Sequence, residues 1–351
     1  MSTVFSKGLK SLTGLIASMA ITITPAASLA SDTPPSTTQP IKVVTSFSIL
    51  ADMVEQVGGD AVSVTSLVGP DEDAHVFDPS PSDARALAGA DIVVINGLYF
   101  EGWIDRLIKS SGFKGQLVVA SDGIVPIDVS QEDDHEKHDS HDSHDKHDHD
   151  KHDHDKHGHD EHSHDKHAHH AHHDHGDVDP HAWQSLDNGR VYIQNIQDAL
   201  VQVRPSLAGE IVARTDIYLQ ELDALNQKTK DRFNQIPKQD RRVIASHDAF
   251  AYFGRAYGVE FFSLQGLSTE QEPSAADIAR LIREIKHDDI RALLVENMSD
   301  PRLLERVAEE TGARVGGELY SDALSPPGTA ADTYLKMFAH NADLIWSTLQ
   351  Q

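Results

Sequence analysis

Residues 131–175 form a 45-residue block that holds 18 of the chain's 23 histidines, 15 acidic residues and five lysines, with Ala168 and Ala171 as its only aliphatic side chains. Such a segment cannot bury enough apolar surface to offset the entropy of ordering it, so it reads as a disordered loop. It contributes nothing to a core. Whatever folds must be assembled from the residues on either side of it.

Those flanks alternate in a regular way. IKVVTSF (41–47), VSVTSLV (62–68), DIVVING (91–97) and QLVVAS (116–121) are short β-branched runs, and helical patterns fall between them at Ile49–Val57, Ser82–Ala88 and Glu101–Ser110. The second half repeats the plan with RVIAS (242–246), EFFSLQG (260–266), RALLVEN (291–297) and ARVGGEL (313–319), alternating with helices expected at Ala249–Tyr257, Ala275–Lys286, Pro301–Thr311 and Ala331–Leu349. Nearly all-apolar strands alternating with helices predict parallel sheets covered on both faces. Between the halves runs a helical pattern from Leu207 to Phe233, with Ile211, Tyr218, Leu222 and Leu225 on or near one face. At 1.5 Å per residue such a helix is about 40 Å long, enough to reach along both halves as a stiff connector. The expected fold class is therefore α/β: two lobes, each with a parallel four-stranded sheet, joined by a long rigid helix and separated by a cleft. Residues 41–185, with the loop 131–175, form the first lobe; 186–235 are connecting helices and 236–351 the second lobe.

The chain has 351 residues and a formal net charge of −26, of which the histidine block supplies −10 when its imidazoles are neutral. That acidity argues against a nucleic-acid binder, which would neutralise phosphates with clustered Lys and Arg. The absence of cysteine removes disulfides, thiolate metal sites and a Cys nucleophile. Residues 1–30 carry Lys7 and Lys10, then an apolar run from Leu12 to Ile23, then small residues up to Ala30. This is the plan of a cleaved secretory signal peptide, since the apolar run is well short of the ~20 residues that a spanning helix needs. Residues 31–40 read as a flexible lead-in, and the mature protein is expected to be soluble in a bacterial periplasm.

Open α/β sheets place their ligands at the carboxyl ends of strands. Four polar residues stand at such positions: His75 in GPDEDAHVFDPSPSD, His181 in DVDPHAW, His247 in VIASHDAFAYFG and Asp322 in ELYSDALSPPG. Singly, each has an ordinary reading, because loop histidines are mostly surface histidines and Asp in a Pro/Gly-rich loop mostly makes a turn. Together, three imidazoles and a carboxylate facing one cleft would make a four-coordinate nitrogen/oxygen site of the kind zinc favours. His287 and His340 lie in polar helical contexts and read as solvated.

The segments DAHVFDPSPSD, DPHAW, SHDAF and LYSDALS, in this order and with a histidine-rich insertion before DPHAW, resemble the zinc-binding solute-binding proteins of bacterial high-affinity zinc-uptake ABC importers. The resemblance covers residues 41–351. It implies that His75, His181 and His247 are metal ligands and that Asp322 takes the place of the fourth, with water as the alternative. It also implies capture of Zn²⁺ as cargo, delivery to a membrane permease coupled to a cytoplasmic ATPase, a monomer, and no catalysis. Manganese-binding relatives resemble the same pattern but carry a carboxylate where His247 stands, which tilts this chain toward zinc. Ala74 stands where some zinc relatives place a Glu. The rivals are a manganese or iron importer protein of the same fold, a zinc hydrolase with an open water position, and a metal-storage or adhesion protein built around the histidine block.

The block itself spaces its imidazoles mostly as HDxH or HDH, a composition that binds zinc, nickel and copper. His135, His138, His141, His144, His147, His149, His152, His154, His157, His159, His162, His164, His167, His169, His170, His172, His173 and His175 are thus candidate ligands of an accessory zinc-collecting arm. Because that arm would have to be ordered by the ions, its affinity should be lower than that of a preformed cleft site.

Overall fold

All eight β-branched runs become strands, and both sheets are purely parallel. A computed structural model describes residues 39–129 and 178–350. The expected signal segment, nearly all of the lead-in and the histidine block lie outside the described residues. The first sheet contains β1 (Ile41–Thr45), β2 (Val62–Ser66), β3 (Ile92–Ile95) and β4 (Gln116–Val119) in the order β2-β1-β3-β4. The second contains β5 (Arg242–His247), β6 (Glu260–Gln265), β7 (Ala292–Glu296) and β8 (Arg314–Leu319) in the equivalent order β6-β5-β7-β8. In each sheet the winding direction reverses at one pair of neighbours, β1/β3 and β5/β7. The crevice beyond the carboxyl ends of such a pair is the place where this kind of sheet binds ligands.

Helices α1 (Ser48–Gly58), α2 (Pro81–Ala88) and α3 (Ile104–Ser111) accompany the first sheet, and α6 (Ala251–Tyr257), α7 (Ala275–Asp288) and α8 (Pro301–Thr311) the second. Between them stand α4 (Leu186–Val203) and the 26-residue α5 (Ala208–Phe233), packed on each other; α9 (Tyr334–Thr348) closes the chain. Local sequence explains several helix starts. Ser80 and Asp83 form a capping box ahead of Pro81, Ser274 and Asp277 form another, and the Asp300 side chain accepts the Arg302 N–H just before Pro301 is passed. Helix α3 begins at Ile104 rather than Glu101, because the Glu101 carboxylate turns inward to accept the N–H groups of Asn96 and Gly97. Helix α9 begins at Tyr334 rather than Ala331, capped by the Thr333 hydroxyl.

Alternating side chains of a strand buried on both faces enter different cores. In β5, Ile244 joins a compact cluster with Leu293, Leu281, Ile285, Leu304 and Val307 under α7 and α8. Its neighbours Val243 and Ala245 join a much larger cluster on the other face. That larger cluster is continuous from the first sheet through α4 and α5 to α6 and α9. Tyr334, at the start of α9, reaches back across the molecule: its backbone N–H donates to Asp52 of α1 at 2.8 Å and its hydroxyl to the Trp183 carbonyl at 2.6 Å. The two halves therefore share one core, and swinging them widely apart would expose it to water. Among the described residues no helix is long and apolar enough to cross a membrane.

Candidate metal centre

Four loops converge where the two sheets' carboxyl ends face each other. His75 comes from the β2–α2 loop, and its backbone N–H donates to Asp73 Oδ1 at 2.8 Å. The loop is fixed from below by Trp103, whose indole N–H donates to the Ala74 carbonyl at 2.8 Å. His181 precedes a short helical turn, and Asp179 Oδ1 accepts both its backbone N–H and its Nδ1–H at 2.8 Å. His247 is the last residue of β5. Its backbone N–H donates to Glu296 Oε1 at 2.9 Å and its Nδ1 faces Glu296 Oε2. Asp322 follows β8 in a segment whose preceding residue, Ser321, offers its carbonyl to Trp183 Nε1 at 2.9 Å and to Gln184 Nε2 at 2.8 Å.

Their ends meet. One ligand-type atom from each of His75, His181, His247 and Asp322 lies within 4.8 Å of every other. Asp322 Oδ2 is 3.2 Å from Nε2 of both His75 and His247, and Oδ1 is 3.7 Å from His181 Nε2. His181, His247 and Asp322 are fully buried and His75 is 6% exposed. Despite this closeness, the three Nε2 atoms and both Asp322 oxygens have no hydrogen-bond partner. Buried polar atoms are ordinarily paired, and an orphaned one is destabilising by about 1–3 kcal/mol. Five aimed at one point describe a cation site. A tetrahedral ion with bonds of about 2.0–2.1 Å sets its ligand atoms about 3.3 Å apart, close to the 3.2, 3.2 and 3.7 Å between Asp322 and the three imidazoles.

Electrostatics agree with the geometry. Burial alone would depress the His247 imidazolium, but the Glu296 and Asp322 carboxylates outweigh it and hold the pKa well above the usual histidine value. Burial would likewise raise Asp322, yet His247 and His181 hold its carboxyl well below the ordinary range. The surrounding wall is aromatic. Phe100 packs edge-on against His75 at 4.8 Å, and Trp183 against His181 at 5.3 Å. It keeps water away and so strengthens every interaction inside.

The sequence-predicted quartet is thus brought together in full, while the accessory histidines lie outside the described residues. His287 is exposed as expected. His340 is not simply solvated: it is half-buried, with Nε2 donating to the Glu318 carbonyl at 2.9 Å and its ring edge-on to Tyr320. Sequence reasoning missed Asp179, Glu296 and Ser321, which hold the ligand loops. Glu296 carried a usable signal, a lone carboxylate ending the apolar run ALLVE at the same level as His247. Asp179, two residues before a candidate ligand, carried a weaker one.

Residues 43–347 match the family model described as the periplasmic zinc-uptake complex component A. The chain belongs to this family. Members are metal-binding, substrate-binding components of ABC transporters, binding proteins in role and not enzymes. Among its relatives is the manganese-binding lipoprotein MntA of Halalkalibacterium halodurans, 31% identical over 89% of each chain. Another is the iron-binding protein YfeA of Yersinia pestis, 27% identical over 91% of this chain and 89% of that one. The solved structure of the periplasmic zinc-binding protein TroA of Treponema pallidum superposes with a TM-score of 0.72 at 26% identity, covering 89% of this chain and 99% of that one.

Proposed function

We propose that this protein captures Zn²⁺ in the periplasm, after removal of residues 1–30, and hands it as a monomer to an ABC permease driven by a cytoplasmic ATPase. His75, His181 and His247 supply three imidazole nitrogens and Asp322 a carboxylate oxygen. The observation that carries the reading is the convergence of these four buried, unpartnered groups within 4.8 Å. Three nitrogens to one oxygen favour zinc, whereas manganese prefers oxygen-rich sets. A closed four-ligand sphere leaves no position for a reactive water, which speaks against a hydrolase.

The manganese-binding and iron-binding relatives support the rival reading of a manganese or iron carrier. Zinc titration of the purified protein, with Mn²⁺ and Fe²⁺ as competitors, decides between them. Displacement of Zn²⁺ by equimolar Mn²⁺ would overturn the zinc assignment, and unchanged tight binding in His75→Ala or His247→Ala would overturn the site.

The histidine block is proposed as an accessory, weaker zinc-collecting arm. Its flanks support that position: Asp128 and Val178 form an antiparallel bridge and the Asp179 N–H donates to the Ile127 carbonyl at 2.9 Å, so the block is rooted next to His181. Deleting 131–175 should abolish the weaker zinc equivalents and leave the tight one. Unchanged stoichiometry would remove the arm.

A further inference from the structure

Glu296 and His247 stand opposite each other across the switch point of the second sheet. Ile244 pairs with Leu293, and three residues further along both strands lie His247 and Glu296. The Glu296 carboxylate is 1% exposed and faces three donors. Oε1 accepts the His247 backbone N–H at 2.9 Å; Oε2 faces His247 Nδ1 and accepts the Ser321 hydroxyl at 2.6 Å. The strand holds Glu296 in place as well, through its own N–H to Ser246 Oγ at 3.1 Å. Ser321 adjoins Asp322, and its carbonyl takes the Trp183 and Gln184 donors beside His181. One buried carboxylate and one serine therefore join the segments that carry three of the four ligand-type groups.

We infer that Glu296, tied by Ser321 to the Asp322 segment, is a positioning residue that sets both the zinc affinity and the preference for zinc over oxygen-seeking cations. The inference rests on the zinc-site reading given above. A carboxylate presents only acceptors. Facing Nδ1, it requires the ring proton there and leaves Nε2 as the lone-pair nitrogen aimed at His75, His181 and Asp322. Ligand orientation of this kind commonly accounts for 10–100-fold in metal affinity. An imidazole in the wrong tautomer is a loss for zinc, and a smaller one for a cation that gains more from oxygen.

Glu296→Gln separates this role from mere packing. The amide keeps the shape but offers one acceptor and one donor. Its oxygen must serve the His247 backbone N–H, which has no alternative form, so its NH₂ faces Nδ1 and drives the ring proton to Nε2. Expected for Glu296→Gln is an approximately 10–100-fold weaker Zn²⁺ affinity, a smaller change for Mn²⁺, and a switched His247 tautomer in long-range ¹H–¹⁵N spectra of the metal-free protein at alkaline pH. Ser321→Ala, which removes a single hydroxyl, should weaken Zn²⁺ by about three- to tenfold, in line with one hydrogen bond. His247→Ala is the reference: tight binding retained there overturns the site itself. Loss of binding there, with wild-type zinc affinity and tautomer in Glu296→Gln, overturns only the role of Glu296. Should Glu296→Gln not fold, Ser321→Ala decides, and a change of less than about twofold overturns the inference.

Discussion

Thr269 donates its hydroxyl hydrogen to Asp73 Oδ2 at 2.6 Å, joining the β6–α7 connection of the second sheet to the loop of the first sheet that carries His75. Two further ties lie alongside: Asn297 Nδ2 donates to Asp71 Oδ1 at 2.8 Å, and the Asp71 N–H donates to the Leu324 carbonyl at 3.0 Å. Release of an ion by movement of this loop would break these ties. Thr269→Val removes the tie with little change in shape. A hydrogen bond to a charged group contributes about 1.5–3 kcal/mol, so zinc release should quicken by on the order of tenfold or more. A chelator chase followed by stopped flow measures it; an unchanged rate would show that another element gates release.

Zinc binding should displace a proton. With Glu296 and Asp322 raising the His247 pKa against the effect of burial, metal-free His247 stays protonated at pH values above its ordinary 6.5. Its contribution to metal-free stability is full below 6.5 and disappears as the pH rises through the raised folded value. Zinc must compete with that proton, so apparent affinity should start to fall on acidification at a pH above 6.5. Calorimetric titrations in buffers of different ionisation enthalpy count the protons. A buffer-independent heat at neutral pH would contradict the expectation.

Two other buried carboxylates predict a stability slope of the same sign, falling as the pH rises. Burial raises Asp52 above 3.8 and Glu101 above 4.5, although each accepts hydrogen bonds, Asp52 from Tyr334 N–H and Gln56 and Glu101 from Ser46 and Asn96 N–H. Their ionised forms are disfavoured in the fold, so acidification through the folded pKa values relieves the protein, completely so below the unfolded values. Relative to wild type, Asp52→Asn and Glu101→Gln should therefore fare better at pH 7 than at about pH 5. Urea denaturation with chelator present tests the difference, and parallel pH profiles for wild type and variants would refute it.

Gly97→Ala should weaken both fold and site. Gly97 has φ +85° and opens a run of left-handed residues continued by Leu98 at +52° and Tyr99 at +63°. An added Cβ would also lie 2.5 Å from Val119 Cγ1 and 3.0 Å from Ser121 Oγ. The next residue after this run, Phe100, forms the His75 side of the aromatic wall around the metal centre. A destabilisation of about 1–3 kcal/mol is expected, read as a lower unfolding midpoint, with weaker zinc binding alongside.

The strands were legible because β-branched runs between turns leave few other options, and His247 and Asp322 were legible because polar residues at the ends of such runs face the crevice. The supporting shell was not. Nothing local distinguishes Glu296 from any acid closing a strand until β5 and β7 are known to be neighbours. The left-handed step at Leu98 and Tyr99 was invisible too, since neither residue type favours it and tertiary contacts hold it: the buried Glu101 carboxylate reaches back to Asn96 and Gly97, and the Phe100 N–H closes the turn onto the Gly97 carbonyl. The return of α9 onto α1 through Tyr334 and Asp52 depends on tertiary packing that helical periodicity does not encode.

The bridge between Asp128 and Val178 has a consequence for how such chains diversify. Where two flanks already meet, the intervening length hardly matters to the rest of the protein: each doubling of a flexible connection costs only about 0.6 kcal/mol in closure entropy. Gain or loss of HD repeats at this point is nearly free of penalty to the two sheets. A change in the number of repeats would therefore leave both sheets and the four-residue centre in place.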